Sequence, residues 1–226
     1  MDRNRYIPFL IAPRLAPRSF RDARKRLLDT LGQLYRAIEE VAGEIQPDVV
    51  LIDSSKHPSY LFLLRGLESH RLRLLHVARD PRGVANSWAK QVTRPEAGDD
   101  MERLGTFRSI ARWTSHNLLF QLAGWLGVPY RRLSYERFTR DPFELGRAVD
   151  QLLADDATGT PTAMKLSVLG DTVLLGSDHT VSGNPMRFET GTITIRPDDS
   201  WRTTMPRRLQ LIVGTLTTPL RQVYAR

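Results

Sequence analysis

The chain has 226 residues, 41% of them hydrophobic, enough to bury a sizeable core and unlike the composition of a disordered, collagenous or disulfide-stapled chain. It contains no cysteine, which excludes disulfides, thiolate catalysis and zinc–thiolate sites and is compatible with a reducing compartment. Thirty-three Lys and Arg against 25 Asp and Glu give a net charge of +8, so the surface favours polyanions, nucleic acid and phosphorylated nucleotides alike. No dense Lys/Arg block marks a nucleic-acid arm, and the excess of Arg suits bidentate recognition of phosphate or sulfate oxygens.

The first apolar run, Ile7 to Ala12, is broken by Pro8 and too short for a signal-peptide core, and no later stretch approaches a membrane span, so a cytoplasmic protein is expected. From Ser19 to Ile45 a helix is predicted. Leu27, Leu31, Leu34, Ile38, Val41 and Ile45 recur at alternating steps of four and three, which places them on one face, read as a packing face; Ser19 with Asp22 resembles a capping box. Asp48 to Asp53 is a short branched apolar run, the pattern of a strand buried on both faces.

Further strands are predicted at Leu72 to Ala78 and Tyr130 to Tyr135, with helices at Tyr60 to Glu68, Arg82 to Val92, Phe107 to Leu126 and Pro206 to Tyr224. Asp155 to Pro161 and Gly176 to Pro185 read as loops. Strands alternating with helices imply a single α/β domain over residues 1–226 with a mainly parallel sheet flanked by helices. Ligands of such sheets bind outside the carboxyl ends of the strands, which directs attention to Asp53-Ser54-Ser55-Lys56-His57 and Arg79-Asp80-Pro81-Arg82-Gly83.

Asp80 is a good N-cap and Pro81 fits the first helical position, so a helix starts where Arg79 points. Its free N–H groups and dipole would join Arg79 in an anion site, with Ser87 two turns on; a plain Arg–Asp surface pair is the other reading of the same residues. His57 suits proton transfer near neutral pH. Lys56 could offset charge on a leaving oxygen, and Asp53 is an alternative base or an orienting partner. Arg187 lies beside a Gly-Asn-Pro turn as a phosphate ligand or as turn structure. Trp113 and Asn117 share a helical face, the tryptophan as core and the asparagine in need of a partner if buried. No His, Asp and Glu show metal-ligand spacing, so no metal is expected.

The string Arg79-Asp80-Pro81-Arg82-Gly83-Val84-Ala85-Asn86-Ser87-Trp88 closely resembles the 3′-phosphate-binding motif of sulfotransferases that use 3′-phosphoadenosine 5′-phosphosulfate. Further segments follow in the family's order: Asp53 to Pro58 at a strand end, Arg132 to Phe138 with its Tyr135-Glu136 pair, His179 to Arg187, and Asp199-Ser200-Trp201-Arg202. The resemblance implies a P-loop-hydrolase-like sulfotransferase fold. It implies that Arg79, Ser87, Tyr135, Arg187, Trp201 and Arg202 contact the nucleotide, and that the sulfuryl acceptor is a hydroxyl or amine of a small molecule, carbohydrate or lipid. On position alone, Thr93 to Arg103 and Thr158 to His179 are the stretches expected to meet it.

The family's glycine-rich 5′-phosphosulfate loop, a Gly-x-x-Arg-Ser-Gly-Thr-like run, has no counterpart here, so the domain is expected to be incomplete at its N-terminus, the true start lying upstream. Two alternatives stay open on sequence: a remnant that binds nucleotide without turnover, and a basic nucleic-acid-binding protein.

Overall fold

The computed structural model describes residues 3–45, 50–55, 57–93, 98–154, 168–169, 172–176 and 189–224. It is a mixed α/β protein, mostly helical, with small sheets. Its contacts group the chain into two compact units, Met1–Arg73 with Leu119–Val128, and Leu74–Leu118 with Pro129–Arg226.

In the first unit a 3₁₀ turn, Arg3–Tyr6, leads into α1 (Ile7–Ile11), α2 (Arg18–Ile45) and α3 (Pro58–Leu64). Pro8 near the start of α1 and Pro58 at the start of α3 sit where a missing N–H costs nothing. Ile7 and Leu10 of α1 are buried, α1 packs on α3, and Phe20 of α2 stacks against Tyr6 and Phe9 at 5.6 and 5.5 Å. α3 is almost wholly buried, with Phe62 fully enclosed. Gly66 lets α2 come close: a Cβ there would lie 2.8 Å from Leu28 Cδ1 and 2.3 Å from the Arg24 guanidinium.

Three expectations for this unit are corrected. α2 already begins at Arg18, after Pro17, so Ser19 lies inside the helix and is not its cap. Nor is the apolar stripe of α2 its packing face. Leu28 and Gly32 are the buried positions, on a face about 100° further round the helix, while Leu27, Leu34, Ile38, Val41 and Ile45 remain exposed. The predicted strand at Asp48 to Asp53 is also absent where it can be seen: residues 50–53 form no strand, and 48–49 lie outside the described residues. The Ser55 N–H instead closes onto Asp53 Oδ1 at 2.7 Å, a local turn that replaces a ladder bond, and Val50 and Ile52 face solvent.

The second unit is built on β1 (Leu74–Ala78) and β2 (Tyr130–Ser134), which pair in parallel with Leu74 opposite Tyr130 and Ala78 opposite Ser134. Between them run α4 (Pro81–Ala89) and α5 (Thr106–Trp125), the crossover that a parallel pair requires. A short α6 (Tyr135–Phe138) and α7 (Phe143–Ala154) follow, and α7 packs on β2. An antiparallel sheet of β3 (Val168–Leu169), β4 (Thr172–Leu175) and β5 (Gly191–Thr194) was not foreseen, and among the described residues the parallel sheet amounts to one pair of strands. Gly191 opens β5 at φ 93°, a conformation that suits glycine.

The chain ends in α8 (Trp201–Thr204), α9 (Arg207–Leu216) and α10 (Thr218–Tyr224). The single helix expected from Pro206 to Tyr224 breaks at Thr217, whose hydroxyl donates to Val213 O at 2.6 Å, and Pro219 supplies no N–H to carry the ladder through. Ala85, Trp201, Met205 and Val213 form one core cluster; Ala78, Trp113 and Tyr224 form another. Phe62→Ala should lower stability by about 3–5 kcal/mol, the usual cost of a fully enclosed ring, read as a shifted midpoint in chemical denaturation.

Candidate functional site

β1 ends at Ala78, and the next three residues set the site. Asp80 takes the N-cap of α4: its Oδ1 accepts from Arg82 N at 2.9 Å, and Pro81 stands in the first turn. The same carboxylate is gripped by the Arg82 side chain, Nε at 2.9 Å and Nη2 at 2.6 Å. Burial pushes the Asp80 carboxyl up, but its hydrogen bonds from Arg82 outweigh this and hold it below the usual range. The Asp80 N–H donates to Glu136 Oε1 at 2.8 Å, while Ser134 Oγ donates to Glu136 Oε2 at 3.0 Å, tying the end of β1 to the end of β2. The N–H groups expected to lie open for an anion are therefore partly engaged, because two carboxylates of the chain already occupy them.

Arg79 thus projects from a fixed point. Its carbonyl accepts from Trp113 Nε1 at 3.0 Å, and its guanidinium lies over the Tyr135 ring at 4.7 Å. Nη2 donates to Asp198 O at 2.9 Å and Asp198 Oδ2 at 2.8 Å, and Asp198 N donates to Tyr135 Oη at 3.3 Å. Hydrogen bonds from Ser200 and then Arg79 push the Asp198 carboxyl down to about 2. Gly83 makes room for this arrangement, since a Cβ there would meet Arg79 Nε at 3.0 Å and Trp201 Cδ1 at 3.2 Å. Ser87 follows Gly83 by one helical turn on the same side of α4 and is half-buried.

Trp201 is buried and meets two cations, with Arg82 over its ring at 4.2 Å and Arg202 at 4.8 Å. Arg202 Nε also meets Asp199 Oδ1 at 3.4 Å. Beneath the site, His76 of β1 is bonded to Tyr130 Oη at 2.9 Å, and burial pushes its ring down from 6.5 to about 4. Asn117, whose need for a partner was expected, donates to Trp113 O at 2.6 Å.

Of the residues the sequence singles out, Arg79 and Tyr135 are brought into direct contact, and Trp201 and Arg202 meet in a cation–π pair. Arg187 and Lys56 lie outside the described residues. Asp53 and His57 belong to the first unit. There Tyr35 Oη donates to Asp53 Oδ2 at 2.5 Å and lies 2.9 Å from Tyr60 Oη. Burial raises the Asp53 carboxyl, yet hydrogen bonds from Ser55 and Tyr35 outweigh that and hold it low, as suits an orienting group better than a base. His57 occupies the N-cap position of α3, its carbonyl accepting from Tyr60 N and Leu61 N.

Sequence reasoning missed Asp198, which has no motif of its own; Glu136 was named with Tyr135, but not its hold on the Asp80 N–H. A shallow groove of about 360 Å³ beside β2, lined by Arg131, Arg132 and Arg137 among others, includes none of Arg79, Tyr135 and Asp198. Thr93, in one stretch placed to meet an acceptor, bridges to Asp100, its hydroxyl donating to Asp100 Oδ1 at 2.8 Å. Among the described residues no three His, Asp or Glu gather as a metal centre would need, and no helix is long and apolar enough to cross a membrane. No family model, curated protein or solved structure matches the chain.

The burial of a neutral His76 sets a pH dependence. Between pH 6.5 and about 4 the unfolded chain takes up a proton that the fold refuses, so stability falls as pH falls through that window. Equilibrium unfolding of the wild type and His76→Gln should therefore give a stability difference that is constant above pH 7 and shifts steadily against the wild type from about pH 6.5 to about 4.

Proposed function

We propose that this chain is a sulfotransferase with the P-loop-hydrolase-like fold. It would bind 3′-phosphoadenosine 5′-phosphosulfate and move its sulfuryl group to a hydroxyl or amine of a small-molecule, carbohydrate or lipid acceptor. The observation that carries this reading is the seating of Arg79: it leaves the carboxyl end of a parallel strand, rests on Tyr135, and holds an anionic oxygen of Asp198. Arg79 and Tyr135 come from separate motifs, each read from sequence as a nucleotide contact. A carboxylate at the guanidinium supports a role in holding phosphate, which offers the same charged oxygens. Ser87 one turn beyond Gly83, and the aromatic Trp201 behind it, suit a nucleotide lying along α4.

In this chemistry the acceptor oxygen or nitrogen forms a bond to sulfur while the bond from sulfur to the phosphate oxygen breaks, leaving adenosine 3′,5′-bisphosphate. The acceptor proton must go to a base, a role we assign to His57, with Lys56 offsetting charge and Asp53 orienting.

Calorimetric titration with adenosine 3′,5′-bisphosphate is the test. Saturable binding is expected, weakened by roughly tenfold to a hundredfold in Arg79→Ala, since charge-assisted hydrogen bonds contribute on the order of 1.5–3 kcal/mol. Asp198→Asn should bind more tightly than the wild type, because an anionic competitor is removed from Arg79. Absence of saturable binding would overturn the reading. Affinity for duplex DNA that falls steeply with salt and ignores Arg79→Ala would favour the nucleic-acid alternative instead.

A further inference from the structure

We propose that α2 is a dimerisation helix, whose apolar stripe pairs in antiparallel fashion with the same stripe of a second copy of this chain. The stripe steps from Leu27 to Leu31, Leu34, Ile38, Val41 and Ile45 by four, three, four, three and four, the 3.5-residue repeat of a two-stranded seam. Among the described residues five of the six are left exposed, Leu34 at 52%, Val41 at 62% and Ile45 at 85%, and only Leu31 is half-buried. The helix meets its own unit through Leu28 and Gly32 instead, on a different face. A continuous apolar strip about 27 Å long, at 1.5 Å per residue, is the kind of exposed patch that marks an interaction surface.

Charge along α2 chooses the occupant and its direction. Arg18, Arg21, Arg24, Lys25 and Arg26 make the N-terminal part basic, whereas Glu39, Glu40 and Glu44 make the C-terminal part acidic. A parallel pair would lay like charge beside like charge. An antiparallel pair about a two-fold axis at residue 36 sets Leu27 against Ile45, Leu31 against Val41 and Leu34 against Ile38, and every layer is apolar. Arg26 and Glu44 flank the same side of the seam, both exposed, so the axis brings each Arg26 to the other copy's Glu44, twice per dimer. Glu39 stays out of this exchange, facing His70 at 3.4 Å on the packed side.

Sedimentation velocity of the full chain over a wide concentration range should show a reversible dimer. Ile38→Asp should raise its dissociation constant by roughly a hundredfold or more, because each half of the contact gains a desolvated carboxylate. Ile38 is itself exposed, so the monomer should keep its helical circular dichroism. Arg26→Glu and Glu44→Arg should each weaken the dimer and together restore it. The chain has no cysteine to interfere with crosslinking, so direction can be read directly. Leu27→Cys and Ile45→Cys chains should form a disulfide when mixed under oxidation, and neither should do so alone. A monomer at every concentration overturns the proposal, and so does Leu27→Cys crosslinking efficiently to itself, which would mean a parallel pair or a different contact.

Discussion

Much of the second unit hangs on the two carboxylates around the first residues of α4. Asp80 caps the helix and fixes Arg82, and Arg82 in turn covers one face of Trp201, the centre of the core cluster with Ala85, Met205 and Val213. Glu136, held by Ser134, takes the Asp80 N–H and so locks the exit of β1 to the exit of β2. The helix N-terminus carries positive partial charge, and supplying carboxylates there stabilises both the helix and the turn before it. Arg79 is the residue left pointing outward by this arrangement, with its backbone pinned by Trp113.

Because the carboxylates belong to the protein, the cationic end of α4 is already balanced. Whatever anion recognition the site performs must come from the Arg79 side chain, bedded on Tyr135, more than from open backbone donors. Asp80, Glu136 and Trp113 hold the geometry of the turn from which Arg79 extends to Tyr135 and Asp198.

The sequence made this turn legible because its signals are local. Asp80 followed by Pro81 announces a helix start, and the branched run from Leu72 to Ala78 announces the strand before it. Tyr135 could be tied to Arg79 only through a resemblance, since nothing in the intervening residues encodes their meeting. Asp198 was illegible: it reaches Arg79 from a segment of Asp, Pro and Ser without period or motif. The failures are equally specific. Periodicity established that the residues from Leu27 to Ile45 share a helical face, but which face a helix buries is decided by its neighbours, here Gly66 and Leu67 against Leu28 and Gly32. Asp48 to Asp53 has the composition of a strand, yet a strand needs a partner for its N–H and C=O groups, and among the described residues 50–53 have none. The antiparallel sheet involves strands of two to four residues, too short to show alternation.

Hydrogen bonds from Ser200 and Arg79 hold the Asp198 carboxyl down near 2, so it is ionised at neutral pH. Mild acidification therefore leaves the Arg79–Asp198 pair in place. The Asp198 carboxylate is shared: Oδ2 accepts from Arg79, while Oδ1 accepts from Ser200 N at the start of the turn that carries Trp201. One carboxylate thus joins the Arg79 side chain to the turn that seats Trp201 in its core cluster, so recognition side chain and packing side chain share a single hinge point.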